Sequence, residues 1–238
     1  MKQRKSHLEH PLSQRVIAIT GAFGNLGDTL ADMAAAQGAR LVLIDRASTT
    51  LPSTPEQLLL PGVDLTSAAD CQAVASRIEA HYGRLDALVN VAGGFAWEPI
   101  QGGDVETWDR LYALNLRTAL NTCQALLPLI RRSAAGRIVN IGAGAAAKAG
   151  MGMGAYAASK AGVLRLTESL AEELKDQGVT VNAVLPSIID TPQNRAAMPD
   201  AEFDRWVTPQ QLAGVILFLL GDAASAITGA GIPVTGRV

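Results

Sequence analysis

The sequence has few cysteines, few histidines and no long apolar run, and each shortage excludes a class of protein. Two cysteines in 238 residues, Cys71 and Cys123, predict buried thiols in a reducing compartment rather than a disulfide framework. The longest apolar run, residues 212–220, is much shorter than the roughly 18 residues that a membrane-spanning helix needs. The histidines are too few and too badly placed for a metal site: His7, His10 and His81.

Charge is also scarce, since only 18% of the residues are charged and the net charge is −2. This balance offers no basic surface for nucleic acid, whereas 48% hydrophobic residues can bury the core of one domain. The basic stretch at the start is not followed by the apolar segment of a signal peptide. We therefore predict a mobile tail over residues 1–14, one domain over residues 15–238, a cytoplasmic location and a small-molecule substrate, with no nucleic acid or membrane partner.

Short apolar runs alternate with helix-length amphipathic segments along the chain. The runs predict strands at residues 16–20, 40–45, 58–63, 87–91, 137–141, 179–185 and 231–234. The segments between them predict helices at residues 25–37, 67–82, 105–129, 156–175 and 209–220. Continuous apolar strands separated by helices indicate an α/β fold, a doubly wound parallel sheet of about seven strands with helices on both faces. The least regular segment, residues 186–208, is predicted to be a lid over the substrate.

The first predicted strand ends in a glycine-rich turn that contains Gly21, Gly24 and Gly27, and a predicted helix follows. Glycines allow a tight turn, and the free N–H groups at the start of a helix bind an anion such as a pyrophosphate. Asp45 ends the second predicted strand, where a carboxylate accepts hydrogen bonds from an adenosine ribose and repels a 2′-phosphate. The adjacent Arg46 could pair with such a phosphate instead. The pattern predicts a dinucleotide site that prefers NAD(H) and leaves NADP(H) open.

Tyr156 and Lys160 are four residues apart in a predicted helix and therefore share one face. A tyrosine alone has a pKa of about 10 and is a poor acid at neutral pH. An adjacent ammonium stabilises the phenolate, lowers the pKa and allows proton exchange with a carbonyl or an imine. The pair therefore predicts acid–base chemistry.

Taken in order, these motifs resemble those of the short-chain dehydrogenase/reductase (SDR) family, from Arg15 to Val238. Further motifs match in the same order: Asp64 with Leu65, the NVAG of residues 90–93, Asn115, the NAVLP of residues 182–186, and the TG and PV of residues 228–234. The resemblance implies a Rossmann-type fold. It also implies an oxidoreductase that transfers hydride between a nicotinamide cofactor and a small carbonyl or imine substrate.

The resemblance also implies roles for individual residues. Tyr156 would be the general acid/base, Lys160 would hold the nicotinamide ribose and tune Tyr156, and Asn115 would hold a water of the proton relay. The glycine turn departs from the usual spacing, because Asn25 stands where the middle glycine is expected. The implied cofactor contacts are Gly21, Phe23, Gly24, Asn25, Leu26, Gly27, Asp45, Arg46, Asp64, Leu65, Asn90, Ala92, Gly93, Tyr156, Lys160, Pro186, Ile188 and Thr191.

A larger departure concerns the serine that the family commonly places thirteen residues before the tyrosine, where it hydrogen-bonds the reacting carbonyl. That position is Ala143, and loss of such a donor can slow a reaction by about 10²–10³. Residues 185–206 resemble the quinonoid dihydropteridine reductases, NADH enzymes that also have alanine there. A quinonoid dihydropterin is therefore one substrate candidate. The alternatives are a keto/hydroxy dehydrogenase in which water or Ser187 replaces the donor, and a dinucleotide-binding protein with little catalysis.

Aromatic residues near the predicted cleft suggest further contacts. Phe95 and Trp97 follow a Gly–Gly turn and could either stack on a flat substrate or pack against the lid. Arg195 could pair with an electron-rich ligand or be a solvated charge, and Phe203 and Trp206 are predicted to pack within the lid.

The two long helices predict contacts between subunits. In the SDR family the equivalents of residues 104–129 and 154–175 commonly form a dimer face, which predicts a homodimer or homotetramer. Apolar and aromatic residues recur there at helical spacing, and packing within the monomer is the competing interpretation: Trp108, Tyr112, Leu116 and Leu120.

Overall fold

A computed structural model describes residues 12–238 of the chain. Each predicted strand is present, with bounds that differ from the prediction by at most a few residues. In chain order the strands are β1 Val16–Thr20, β2 Arg40–Ile44, β3 Gln57–Leu60, β4 Ala87–Asn90, β5 Arg137–Ile141, β6 Thr180–Pro186 and β7 Gly231–Val234.

Helices connect these strands, as the periodicity predicted. They are α1 Asn25–Ala36, α2 Ala68–Tyr82, α3 Val105–Tyr112, α4 Thr118–Ile130, α5 Gly154–Leu174, α6 Pro192–Ala197 and α7 Pro209–Leu220. The predicted helix over residues 105–129 is interrupted, because a π-helical stretch, Ala113–Arg117, joins α3 to α4. Helix α7 begins with a capping box: the Thr208 side chain accepts from the Gln211 amide, and the Gln211 side chain accepts from the Thr208 amide.

The strands form one parallel sheet in the order β3-β2-β1-β4-β5-β6-β7. This confirms the doubly wound α/β fold. The chain first moves outward from β1 through β2 to β3, and then returns to β4 on the other side of β1. Connections after β1 and after β4 therefore leave in opposite directions and open a crevice at the carboxyl edge, where open α/β sheets bind ligands.

Both faces of the sheet are buried, which explains why the strands are apolar at successive positions. Ile17 and Ile19 belong to a core on one face that includes residues of α1 and α7. Val16 and Ala18 belong to a second core on the other face, with residues of α2, α4 and α5. Cys71 and Cys123 are buried free thiols in this second core, as predicted.

Residues 12–14, which the sequence analysis assigned to the tail, lie within the described part of the chain. Residues 1–11, with His7 and His10, lie outside the described part of the chain. Leu12 is fully buried in the core with α1 and α7, and the Gln14 amide donates to the Gly38 carbonyl at 3.0 Å. Leu12 therefore packs as part of the domain, a role that the sequence pattern did not reveal.

The predicted lid, residues 186–208, is more regular than its sequence suggested. It contains α6, and a parallel bridge pairs Ile189 with Val207. The Asp190 amide donates to the Val207 carbonyl at 2.8 Å, so the two ends of the lid are joined. Over residues 12–238 no helix is both long enough and apolar enough to cross a bilayer.

Candidate active site

A cleft of about 530 Å³ lies at the carboxyl edge of the sheet, where the connections after β1 and β4 leave in opposite directions. This volume is within the range of small-molecule and cofactor sites. Most of the predicted cofactor residues line it: Gly21, Phe23, Gly24, Asn25, Leu26, Gly27, Asp45, Arg46, Asp64, Leu65, Ala92, Gly93 and Thr191. The sequence reasoning assigned no cofactor contact to the other lining residues: Ala47, Val63, Thr66, Val91, Leu114, Thr118 and Gln193.

The protein's own backbone requires two of the glycines in the turn, Gly21 and Gly27, but not Gly24. Gly21 has φ +63°, and a Cβ there would lie 2.9 Å from the Ala92 amide nitrogen. A Cβ on Gly27 would lie 2.2 Å from the Gly21 carbonyl oxygen. A Cβ on Gly24 would meet only the Gly21 carbonyl oxygen, at 3.5 Å, so the protein itself tolerates a side chain there. The space beside Gly24 would allow a ligand to approach the backbone closely.

Helix α1 begins at this turn without a side-chain cap. Gly24 is the N-cap residue, so no side-chain oxygen accepts from the first N–H groups of the helix. Such groups carry partial positive charge and have no partner within the helix. The turn is therefore suited to the pyrophosphate of a dinucleotide.

Asp45 faces the same cleft from the end of β2. One carboxylate oxygen accepts from the Phe23 amide at 2.9 Å, and the other accepts from the Ala47 amide at 2.8 Å. These bonds fix the carboxylate, and each oxygen keeps a second lone pair for a ligand hydroxyl. Arg46 is exposed beside it. The pKa of the nearby Asp64 is lowered mainly by the hydrogen bonds from Thr66, with a smaller contribution from the Arg46 charge.

Lys160 lies behind the wall of the cleft. Its side chain is buried, its Nζ donates to the Ile141 carbonyl at 2.8 Å, and burial lowers its pKa to about 8. A Cβ on Gly93 would lie 3.4 Å from this Nζ, so the ammonium sits beside a residue that lines the cleft.

Tyr156 lies one turn earlier on α5. Burial raises its pKa to about 12. We expected Lys160 to lower the pKa of Tyr156, and in this structure that effect is absent. The reason is physical: desolvation disfavours the phenolate, and the Lys160 ammonium is bound to the Ile141 carbonyl.

Asn115 lies in the π-helical stretch and binds the loop after β4. Its Oδ1 accepts from the Gly94 amide at 2.8 Å, and its Nδ2 donates to the Gly94 carbonyl at 3.0 Å. Nδ2 also donates to Ser159 Oγ at 2.9 Å, and that hydroxyl donates to the Tyr156 carbonyl at 2.7 Å. The Asn115 side chain therefore ties the cleft loop to α5. The sequence did not reveal the π-helical stretch or this use of Ser159.

Asn90 is a correction to the predicted cofactor contacts. Its side chain does not line the cleft but is buried beneath it. Nδ2 donates to Asn140 Oδ1 at 2.9 Å, and Oδ1 accepts from Thr122 Oγ1 at 2.7 Å. Asn140 in turn donates to Thr167 Oγ1 at 2.9 Å. The amide points into the sheet–helix interface, where these buried partners satisfy its polar groups.

Pro186 and Ile188, at the start of the predicted lid, were predicted to contact the cofactor but do not line the cleft. Pro186 is the buried last residue of β6, and the Ile188 carbonyl accepts from the Val207 amide at 3.1 Å. Ser187 was considered as a replacement donor, but its Oγ donates to the Thr235 carbonyl at 2.7 Å. Its single hydroxyl hydrogen is therefore engaged, and Ser187 is not a free donor in this structure. Ala143 is buried directly after β5.

The predicted lid segment, residues 186–208, contacts the cleft through α6. Thr191 and Gln193 line the cleft, and Gln193 Oε1 accepts from Asn25 Nδ2 at 2.9 Å. Arg195 forms a two-pronged ion pair with Asp190, at 2.6 and 2.7 Å, and lies over the Phe203 ring. That arginine is therefore engaged within the lid. Phe203 and Trp206 pack against each other at 4.9 Å between ring centroids, as predicted for lid packing.

Comparison with known proteins identifies the family. A family model described as short chain dehydrogenase matches residues 15–202. The chain belongs to the short-chain dehydrogenase family. It is thus an oxidoreductase of a family that binds NAD(P)(H), as the sequence motifs implied.

Its relatives within the short-chain dehydrogenases differ in substrate. The chain is 31% identical to D-threitol dehydrogenase of Mycolicibacterium smegmatis, over 94% of this chain and 93% of that protein. It is also 31% identical to 3-oxoacyl-[acyl-carrier-protein] reductase FabG of Thermotoga maritima, over 94% and 98%. A solved short chain dehydrogenase of Escherichia coli CFT073, complexed with NADPH, superposes with a TM-score of 0.86 at 27% identity and covers 94% of this chain and 98% of that one.

The glycine turn generates a prediction about cofactor affinity. Gly24→Ala should weaken NADH binding by tenfold or more, because the methyl group has room in the protein but projects where the pyrophosphate approaches. Its thermal midpoint should change little. Gly21→Ala is the matched comparison and should lower the midpoint as well, because of its positive φ and the Ala92 backbone. Calorimetry and NADH fluorescence titration measure both; unchanged affinity in Gly24→Ala would contradict the pyrophosphate assignment.

Proposed function

We propose that this short-chain dehydrogenase transfers hydride between NAD(H) and a small carbonyl or imine substrate, with Tyr156 as the proton-transfer group. The observation that carries the proposal is the position of Tyr156 and Lys160, one turn apart on α5, with the Lys160 ammonium beside the cleft-lining Gly93. When bound, the nicotinamide supplies or accepts the hydride. The proton then has to be moved by the protein.

The ionisation of the two side chains suits reduction. With a pKa raised to about 12, Tyr156 is a neutral phenol at pH 7 and holds the proton that a reduced carbonyl oxygen or imine nitrogen needs. Lys160, with a pKa of about 8, remains mostly protonated at pH 7. For Lys160 to stabilise the phenolate that forms when Tyr156 gives up its proton, its ammonium has to leave the Ile141 carbonyl and approach the Tyr156 hydroxyl. We assign Lys160 to the nicotinamide ribose as well.

Asp45 supports a preference for NAD(H). Its fixed carboxylate faces the cleft and would accept hydrogen bonds from ribose hydroxyls, whereas a 2′-phosphate there would be repelled. Arg46 lines the same cleft and would favour a phosphate, so NADP(H) remains a second possible cofactor.

Ala143 favours a quinonoid dihydropterin as the substrate candidate. Reduction of such a ring system needs a proton at a conjugated centre and less support of an alkoxide, so the missing serine hydroxyl matters less. The local resemblance of residues 185–206 to dihydropteridine reductases supports the same class.

A keto/hydroxy dehydrogenase is the second candidate, and the named relatives favour it. Because the Ser187 hydroxyl donates to Thr235, a water is the better substitute for the missing donor. A dinucleotide-binding protein with little catalysis is the third. The buried Lys160, one turn from Tyr156, argues against it, because a pure binder has no use for a costly buried ammonium.

We also propose a homodimer or homotetramer through α3, α4 and α5. Trp108 and Tyr112 are partly exposed on α3 and offer aromatic contact area to a partner. Leu116 packs within the monomer, since a Cβ on Gly162 of α5 would lie 2.5 Å from it. The cytoplasmic location stays a prediction.

The proton donor is tested with Tyr156→Phe. We expect kcat for reduction of quinonoid dihydropterin or of 2,3-butanedione by NADH to fall by about 10²–10⁴, because the phenol proton is lost. The Kd for NADH should change by less than about threefold, because the ring is retained. Tyr112→Phe, which removes a hydroxyl on α3, is the control. Full activity in Tyr156→Phe would refute the assignment.

The titration of Lys160 predicts how the affinity for the cofactor depends on pH. With a pKa of about 8, its ammonium is retained below pH 8 and lost above it. If this charge holds the cofactor, the Kd for NADH is constant below pH 8 and rises by up to about tenfold per pH unit above it. Lys160→Met should bind NADH more weakly at pH 7 and show no rise above pH 8. A wild-type Kd for NADH that is constant from pH 7 to 9.5 would refute the assignment of Lys160 to cofactor binding.

Ala143→Ser separates the two substrate classes. For chemistry that never used the donor, we expect the new hydroxyl to change kcat/KM for 2,3-butanedione by less than about threefold, against a possible gain of about 10²–10³ for a dormant carbonyl reductase. Ala145→Ser places a hydroxyl in the same loop and is the control. A gain of tenfold or more that is confined to Ala143→Ser would favour the keto/hydroxy dehydrogenase.

A further inference from the structure

Two loops at the carboxyl edge are fastened together beside Tyr156. The loop after β4 contains Phe95 and Trp97, and the loop before α5 contains Met151 and Gly152. The Glu98 amide donates to the Gly152 carbonyl at 2.7 Å, and Trp97 Nε1 donates to the Met151 carbonyl at 2.9 Å. These two bonds join loops that follow neighbouring strands of the sheet.

The indole of Trp97 lies directly on Gly152. A Cβ at Gly152 would come within 2.3 Å of the indole, and Gly152 also has φ +72°. Only glycine allows this close contact of ring and backbone. The indole is therefore held by its N–H on one side and by the Gly152 backbone on its ring, and its orientation is defined before any ligand arrives.

The fastened loops leave apolar groups exposed at one place, the Phe95–Trp97–Met151 platform. These three residues are 57%, 54% and 84% exposed. The Phe95 ring also meets the Tyr156 ring edge to face, with centroids 5.0 Å apart, so the platform reaches the proposed proton donor. Exposed, pre-oriented aromatic rings next to a reactive group are a feature of ligand sites rather than of an ordinary surface.

The polar groups of Trp97 and Glu98 are already engaged. The Trp97 N–H is bound to the Met151 carbonyl. The Glu98 carboxylate faces away, since it accepts from the Asp104 amide at 2.7 Å. A ligand seated here is therefore recognised by its apolar faces, with Tyr156 as the polar contact.

We propose that this platform selects planar, conjugated ring carbonyls or imines over aliphatic ones, with Trp97 as the specificity-determining residue. The inference rests on the proposed function, since it places the ring against Tyr156. A flat ring covers the indole and the Phe95 edge, whereas a small aliphatic ketone covers little of either.

A comparison of two substrates and a binding measurement test the platform separately from the chemistry. The probes are 9,10-phenanthrenequinone, a planar dicarbonyl, and 2,3-butanedione, an aliphatic one. In Trp97→Ala we expect kcat/KM for the planar probe to fall by about tenfold or more, while kcat/KM for butanedione and the Kd for NADH change by less than about threefold. Phe218→Ala removes an aromatic ring of similar exposure (47%) from α7 and should change none of these values.

Binding of phenanthrenequinone to the enzyme saturated with NAD⁺ is measured by calorimetry, because no reduction occurs there. A weakening of about tenfold in Trp97→Ala, absent in Phe218→Ala, supports the platform even if no turnover is found, and in that case the proposed function alone fails. Equal binding in wild type and Trp97→Ala overturns the platform even if turnover depends on Tyr156. Equal binding together with a loss of oligomer mass in Trp97→Ala would assign the patch to a subunit contact and also overturns it.

Discussion

The close approach of the ends of β1 and β4 is the constraint on which the rest of the site depends. Thr20, buried at the end of β1, accepts from the Val91 amide at 3.0 Å and from the Ala92 amide at 3.1 Å. One hydroxyl thus joins the two strands at the point where the order of the sheet reverses. Gly21 can follow only because it lacks a Cβ that would collide with Ala92. The direction of α1 and the path of the loop that leads to Phe95 are both set here.

The part of the site around Tyr156 consists of neutral polar contacts and a buried lysine. Asn115 holds Gly94 by both its amide groups, and Ser159 carries the connection to the Tyr156 backbone. Because these groups are uncharged, they add little field to the desolvated space around Lys160. Burial can therefore move the pKa of Lys160 down and that of Tyr156 up, and both shifts favour the neutral side chain. Of these two side chains, Lys160 is the one that carries a charge at neutral pH.

The sequence was sufficient to predict the strands, the glycine turn and the Tyr–Lys pair, because each is a local pattern. It was misleading for Asn90 and Ser187. Both stand at the end of a strand, and nothing in the sequence tells whether such a side chain faces the cleft or the interior. Asn90 points inward to Asn140, and Ser187 points to Thr235, 48 residues later in the chain. Leu12 was missed for the same reason, since its burial depends on packing between distant segments.

Ala143 and the Phe95–Trp97–Met151 platform raise a question of magnitude. A lost oxyanion donor removes about 3–4 kcal/mol of transition-state stabilisation, whereas an aromatic contact contributes about 0.5–1.5 kcal/mol beyond its buried area. Stacking also acts on the substrate before and during reaction alike, so it lowers KM without raising kcat. The platform therefore cannot replace the serine. A conjugated acceptor can make the serine unnecessary, because its ring spreads the charge that a simple ketone would concentrate on one oxygen. Ala143 and the platform are thus consistent with one substrate class, and that class is defined by its electronic structure as much as by its shape.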